Sequence, residues 1–208
     1  MIPAMDSVVF DMGGVVLDWD PGAILAGYYP DPALRAQLKV AAFDHADWRA
    51  LDRGTLDEKA LVLRLAERTG RPVPELAGLL VASRESLTPK PATLDLIERL
   101  HTRGVPLYVL SNMSGDTYEH LRQQHVWWRL FRGVVISGLI RMAKPDREIF
   151  EHLLKEHGLV ARHTIFIDDN RPNLEAAAEL GIRTIWFRDA AQCEQELHAL
   201  LDAGDGPS

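Results

Sequence analysis

Val8-Val9-Phe10-Asp11-Met12-Gly13-Gly14-Val15-Val16 is the stretch that decides the fold. A short apolar, β-prone run ends in a carboxylate and then a pair of glycines, so a strand passes directly into a turn. Four further runs of the same kind follow, at residues 107–110, 134–136, 164–167 and 184–187. Most lead through a polar or glycine-containing turn into a helical pattern. That alternation predicts βαβ units and an α/β fold, a Rossmann-like, doubly wound parallel sheet with helices on both faces. The helix after Ile167 has its boundaries written out: Asn170 at its start, Pro172 in its first turn and Gly181 at its close. The helix over 91–102 ends at Gly104 and feeds the strand that carries Tyr108 and Val109.

Residues 18–88 have a different texture, with helical patterns only, at 32–43, 56–69 and 74–86. Thr55-Leu56-Asp57-Glu58 fits a capping box in which Thr55 caps and Glu58 reaches back. The expected division is a core built from residues 1–17 and 89–208, with 18–88 inserted as a small α-helical cap domain. Leu87-Thr88-Pro89-Lys90-Pro91 forms a stiff return linker.

The 208 residues are 47% hydrophobic and 25% charged, enough apolar material for a core. A net charge of -7 argues against a general nucleic-acid binder, because phosphate backbones attract basic surfaces. Cys193 is the single cysteine, which excludes an intramolecular disulfide and a Cys-based zinc site. The first residues lack the basic region of a signal peptide, and no stretch reaches the roughly 18 apolar residues of a membrane span. A reduced, cytoplasmic setting is the expectation, with no nucleic-acid or membrane partner.

In open parallel sheets, ligands bind at the carboxyl ends of the strands. The polar residues that follow strands are Asp11, then Ser111 and Asn112, then Lys144, then Asp168 and Asp169. Alone, each has a plain structural reading: a glycine turn, a helix start, a solvated lysine, an N-cap. Together, three carboxylates, a lysine and a hydroxyl on one edge suit a hard cation and a phosphoryl group. Carboxylate oxygens bind magnesium, while lysine and backbone amides neutralise phosphate oxygens.

Phe10-Asp11-Met12-Gly13-Gly14-Val15, Leu110-Ser111-Asn112, Lys144-Pro145-Asp146 and Phe166-Ile167-Asp168-Asp169-Asn170 resemble the four motifs of the haloacid dehalogenase superfamily. The insertion after the first motif is similar to the type C1 helical cap of that superfamily. The closest resemblance is to α-glucose-1-phosphate phosphatase-like members and to the N-terminal phosphatase domain of epoxide hydrolases. The resemblance implies a Mg2+-dependent hydrolase of a small-molecule phosphate ester, such as a sugar phosphate. Asp11 would be the nucleophile and form an aspartyl-phosphate. Mg2+ would be held by Asp11, the Gly13 carbonyl and Asp169, with Asp168 as a further ligand or its neighbour. Ser111 and the Asn112 amide would bind phosphate oxygens, Lys144 would balance charge, and Asn173 would orient the Asp168/Asp169 loop.

The chain departs from the superfamily pattern at Gly13, where most phosphatase members carry an aspartate that acts as general acid. Three explanations are open: a substrate with a better leaving group, such as a sugar 1-phosphate; a cap residue or water in place of the acid; or slow or lost hydrolysis. The first is the expectation taken here. Two other classes compete with a phosphatase. A 2-haloacid dehalogenase would use the same nucleophile on carbon without metal, and is expected to lack the paired aspartates. A non-enzymatic regulator is suggested by Gly13 alone. Substrate choice should come from the cap, with Trp19, Asp20, His45, Trp48 and Arg53 as candidate contacts. Trp127-Trp128 is expected to be buried or cap-facing, and Ser137-Gly138 to be a plain strand end.

Overall fold

β1 (Ser7–Phe10) is buried along its whole length at the centre of a five-stranded, all-parallel sheet of order β3-β2-β1-β4-β5. The computed structural model of the chain describes residues 6–204; residues 1–5, part of the start that lacks a basic region, lie outside the described residues. Between β1 and the next strand run α1 (Pro21–Tyr28), α2 (Pro32–Ala41), α3 (Ala46–Asp52), α4 (Glu58–Thr69), α5 (Val73–Glu85) and α6 (Pro91–Thr102). Then come β2 (Leu107–Ser111), α7 (Gly115–Gln124), a 3₁₀ turn (Val126–Leu130), β3 (Gly133–Ile136), α8 (Ser137–Ile140) and α9 (Arg147–Glu156). The chain closes with β4 (Thr164–Asp168), α10 (Arg171–Glu179), β5 (Arg183–Trp186) and α11 (Ala190–Gly204).

The strands are apolar throughout because both faces of the sheet are covered. Successive side chains alternate between faces. Val8, Phe10, Val109, Ile165 and Ile167 pack with Leu96 and Leu100 of α6 and Leu197 of α11. Val9, Leu110 and Phe166 pack with Phe150 and Leu153 of α9 and Leu174 of α10. Trp127 and Trp128 are buried in the first of these clusters, not exposed. Phe10 stands opposite Val109 on one side and Ile167 on the other. The carboxyl ends of β1, β2 and β4 therefore finish side by side.

Helices α1 to α5 share an apolar cluster of their own, including Leu25, Leu38, Leu61, Leu65, Leu76 and Leu79. The two chain crossings beneath them run together: Asp18 N donates to Thr88 O and Lys90 N to Val16 O, both at 2.8 Å. The expected capping box at Thr55 is not formed. Asp57 caps α4 instead, accepting from Ala60 N at 2.7 Å, while Glu58 pairs with Arg84. A tertiary ion pair has taken the side chain that the capping box needed. Among the described residues, no helix is long and apolar enough to cross a membrane.

Asp47 ties α3 to α4. It is buried, accepts from Arg64 at 3.0 Å and Arg68 at 2.9 Å, and lies 3.3 Å from His45. The hydrogen bond from Arg68, outweighing burial, holds its carboxyl below the ordinary range. Asp47→Ala is expected to cost about 1–2 kcal/mol in denaturant unfolding at neutral pH, since one of the two guanidinium groups is largely solvated. The contribution is present above the ordinary carboxylate pKa and is lost as pH falls through the lowered one. Unfolding at pH 7 indistinguishable from wild type would show that the cluster is only a solvated surface contact.

Candidate active site

The end of β1 delivers Asp11, and the end of β4 delivers Asp168, to one buried lysine. Lys144 Nζ lies 2.8 Å from Asp11 Oδ1 and 2.7 Å from Asp168 Oδ2. The lysine is 4% exposed, so the reading of it as a solvated surface charge does not hold. Its main chain is clamped by Asn112: Lys144 N donates to Asn112 Oδ1 at 2.9 Å, and Asn112 Nδ2 donates to Lys144 O at 2.8 Å. This contact of the Asn112 side chain was not foreseen from sequence.

Asp168 is spoken for. Besides Lys144, it accepts from Asn170 N at 2.7 Å and from Asn173 Nδ2 at 3.0 and 3.2 Å. Asn173 thus holds this loop by way of Asp168. Asp11 uses Oδ1 for both Lys144 and Met12 N (2.7 Å), and Oδ2 makes no hydrogen bond among the described residues. Asp169 is exposed and lies against Gly14, whose φ is +77°. The backbone angle favours glycine, and a Cβ there would fall 2.2 Å from Asp169 Oδ2 and push that carboxylate aside. Asp11, Asp168 and Asp169 bring one carboxylate oxygen each within 4.8 Å of one another.

Three carboxylates face one bonded lysine, with Lys90 as a weaker counter-charge toward Asp169. Burial pushes the Asp11 carboxyl up to about 7, against the pull of Lys144, and Asp168 and Asp169 add to the rise. Asp169, although it reaches solvent, is raised by partial loss of water against the cluster and by the charge of Asp168. Burial works against the charge on Lys144, but Asp11 and Asp168 overcome it, so its ammonium is held more firmly than usual. The cluster has surplus negative charge and hard oxygen donors, a set that fits a small divalent cation.

A cavity of about 290 Å³ lies beside this cluster, lined by Gly13, Asn112 and Met113 on one side and by residues of α1, α3, α4 and α5 on the other. Trp19, Phe43 and Trp48 form one side, with ring centroids 4.6 to 5.8 Å apart. Of the expected cap contacts, Trp19 and Trp48 line this cavity. The other three are engaged elsewhere. Asp20 caps α1 through Ala23 N at 3.0 Å, His45 caps α3 through Asp47 N at 3.1 Å, and Arg53 pairs with Asp146 at 2.6 Å. Phe43 and Asp52 line the cavity and were missed from sequence. Ser111 is buried at the end of β2, within the same strand-end row. Ser137 is more than a strand end: it starts α8, its Oγ accepts from Met113 N at 3.0 Å, and it donates to the main-chain oxygen of Asp52.

A model of the haloacid dehalogenase-like hydrolases matches residues 5–181. The chain belongs to that family. Among curated relatives, this hydrolase is 29% identical to the sesquiterpene phosphatase astK of Aspergillus oryzae, covering 97% of this chain and 99% of astK. It is 25% identical to D-ribitol-5-phosphate phosphatase of Bacteroides thetaiotaomicron, covering 95% of this chain and 98% of the relative. Among solved structures, the haloacid dehalogenase family enzyme bt-2542 of Bacteroides thetaiotaomicron, in complex with magnesium and inorganic phosphate, superposes with a TM-score of 0.72. The identity there is 21%, over 88% of this chain and 94% of that one. The L-2-haloacid dehalogenase RSc1362 superposes with a TM-score of 0.73 at 20% identity, over 93% and 99%. Those two likenesses establish the haloacid dehalogenase-like fold and leave the reaction to be argued from the site.

Proposed function

We propose that this hydrolase is a Mg2+-dependent phosphomonoesterase that works through an aspartyl-phosphate on Asp11, with residues 18–88 as its cap. The observation that carries the reading is the buried Asp11–Lys144–Asp168 bridge with Asp169 beside it, which leaves Asp11 Oδ2 without a partner. Attack by Oδ2 on phosphorus forms the acyl-phosphate bond and breaks the ester P–O bond. Water then cleaves the acyl-phosphate, releasing inorganic phosphate and regenerating Asp11. Lys144 neutralises charge on Asp11 and on the transferring group, and Ser111 with the Asn112 amide receives phosphate oxygens. Asp11, Asp169 and the Gly13 carbonyl are the groups that would hold Mg2+, with Asp168 beside them anchoring Lys144. When bound, the cation neutralises phosphate oxygens and fixes the phosphoryl group for in-line attack.

Attack on carbon in a haloacid needs one carboxylate and no cation, so it leaves Asp169, whose side chain anchors nothing among the described residues, without a task. The phosphatase names of the two curated relatives support the same choice. The aromatic wall of the cavity supports an alcohol that presents an apolar face to Trp19, Phe43 and Trp48. The test is phosphate release from prenyl phosphates, sugar 1-phosphates, sugar 6-phosphates and nucleotides, with Mg2+ or EDTA and with Asp11→Asn as the blank. Release that requires both Mg2+ and Asp11 is expected. Halide release from 2-haloacids with no phosphate release from any ester would overturn the proposal.

A further inference from the structure

We infer that Asp52, on the last turn of α3, is the general acid–base of this site, filling the role that Gly13 leaves empty. It gives its proton to the leaving alkoxide as Asp11 takes the phosphoryl group. It then accepts a proton from the water that cleaves the aspartyl-phosphate, which restores it. The inference rests on the phosphatase reading.

The core strand offers no acid of its own. A Cβ at Gly13 would meet only Trp19 within 4 Å, at an ordinary 3.7 Å, so the position has room for a side chain and yet carries none. Asp18 is exposed, bonded to Thr88 Oγ1 and 3.9 Å from Lys90, and Asp20 is used as a helix cap. Asp52 lines the same cavity as Gly13 and Asn112. The cavity holds two other carboxylates, and both are neutralised: Asp44 by Lys39 at 2.8 Å, and Glu58 by Arg84. The Asp52 carboxyl makes no ion pair or hydrogen bond among the described residues.

The structure also fixes Asp52 against the core. Ser137 Oγ, which receives Met113 N directly after the Ser111-Asn112 pair, donates to the Asp52 carbonyl. The next residue, Arg53, pairs with Asp146. Gly54 follows at φ +72°, and a Cβ there would fall 2.3 Å from Gly138 O, so only glycine permits this approach of main chain to main chain. Three consecutive residues are thus tied to the segments that present Asn112 and Lys144, which fixes the main chain from which the Asp52 carboxyl projects. Burial, and then the charge of Asp11, hold the Asp52 carboxyl well above the ordinary range, a shift in the direction that favours its proton-bearing form.

The test compares single-turnover phosphoryl transfer by wild type and Asp52→Asn, with Mg2+, on a primary alkyl phosphate and on p-nitrophenyl phosphate. The alkoxide needs the proton and the nitrophenolate does not. The expected loss is about 10²- to 10⁴-fold on the alkyl ester and less than about 10-fold on the nitrophenyl ester. Asp52→Asn should also accumulate phosphorylated Asp11 from the nitrophenyl ester, visible by intact mass, because the second step loses its base. Asp52→Ala should repeat the pattern, which separates it from a folding defect that would slow both esters. An unchanged rate on the alkyl ester, or an equal loss on both esters in both variants, would overturn the assignment of Asp52. A wild-type chain that releases phosphate from neither ester would instead remove the phosphatase reading beneath it.

Discussion

Lys144→Met is expected to lower phosphate release by at least about 10²- to 10³-fold and to destabilise the protein by about 3–5 kcal/mol at pH 8. Among the described residues, the lysine is the one cation bonded to both Asp11 and Asp168, and all three side chains are buried. Methionine fills a similar volume but leaves two carboxylates without a counter-charge, the expensive way to break a buried pair. The destabilisation should depend on pH. Asp11 already has its carboxyl raised to about 7, and Lys144 is the group that pulls it down. Without the lysine that value climbs further, and a raised carboxyl contributes stability that is present at low pH and lost as pH rises through it. Urea unfolding at pH 5.5 and pH 8 should show the gap from wild type widening with pH. Lys144→Arg should fail to restore activity, because a guanidinium does not fit a site matched to a single ammonium and closed from solvent. A gap that stays constant between the two pH values would show that packing, not charge, sets the cost.

The five strands were legible because each is a short apolar run cut off by a polar turn, and the residues at their ends were legible because ligands collect there. The register of Phe10 with Val109 and Ile167 then places Asp11 and Asp168 together without further information. What lies across the chain was harder. Helix α1 contains Gly22 and Gly27, and α3 has seven residues, so neither shows a sustained period. The capping box at Thr55 failed because Arg84, distant in sequence, claims Glu58. Asn112 was read for its main-chain amide, while its side chain clamps the main chain of Lys144. Asp52 follows no strand, and it is not among the cap candidates although its neighbours Trp48 and Arg53 are. One signal for it did exist: Trp48 and Asp52 stand four residues apart and share a face of α3, which joins an aromatic to a carboxyl on one cavity wall. Local spacing shows that face, whereas the approach of Gly54 to Gly138 that anchors it is a tertiary fact.

Asp11→Asn is expected to abolish turnover and, without divalent cation, to make the protein more stable than wild type at pH 8. Loss of turnover follows from the proposed role of Asp11 as nucleophile, which a neutral amide does not fill. The stability gain follows from charge. Burial raises the Asp11 carboxyl from 3.8 to about 7 despite Lys144, with Asp168 and Asp169 adding to the rise. The folded state therefore favours the neutral form; wild type has that contribution below pH 3.8 and loses it as pH rises through about 7. Asparagine resembles the neutral form at every pH, and Asp168 still neutralises Lys144. The advantage of the variant should be small near pH 4 and grow to at most about 4 kcal/mol by pH 8. Saturating Mg2+ should reverse the order, because a cation that binds only the folded state stabilises wild type, while the variant has lost a carboxylate ligand. Thermal unfolding of both proteins at pH 4.5 and 8, in EDTA and in excess Mg2+, tests each limb. A variant less stable than wild type in EDTA at pH 8 would mean that Lys144 already compensates Asp11 in full. The cluster would then have no surplus charge for a cation to relieve. The predicted reversal instead locates the cost of this site in the carboxylate proposed as nucleophile, as expected when catalytic charge is held out of water.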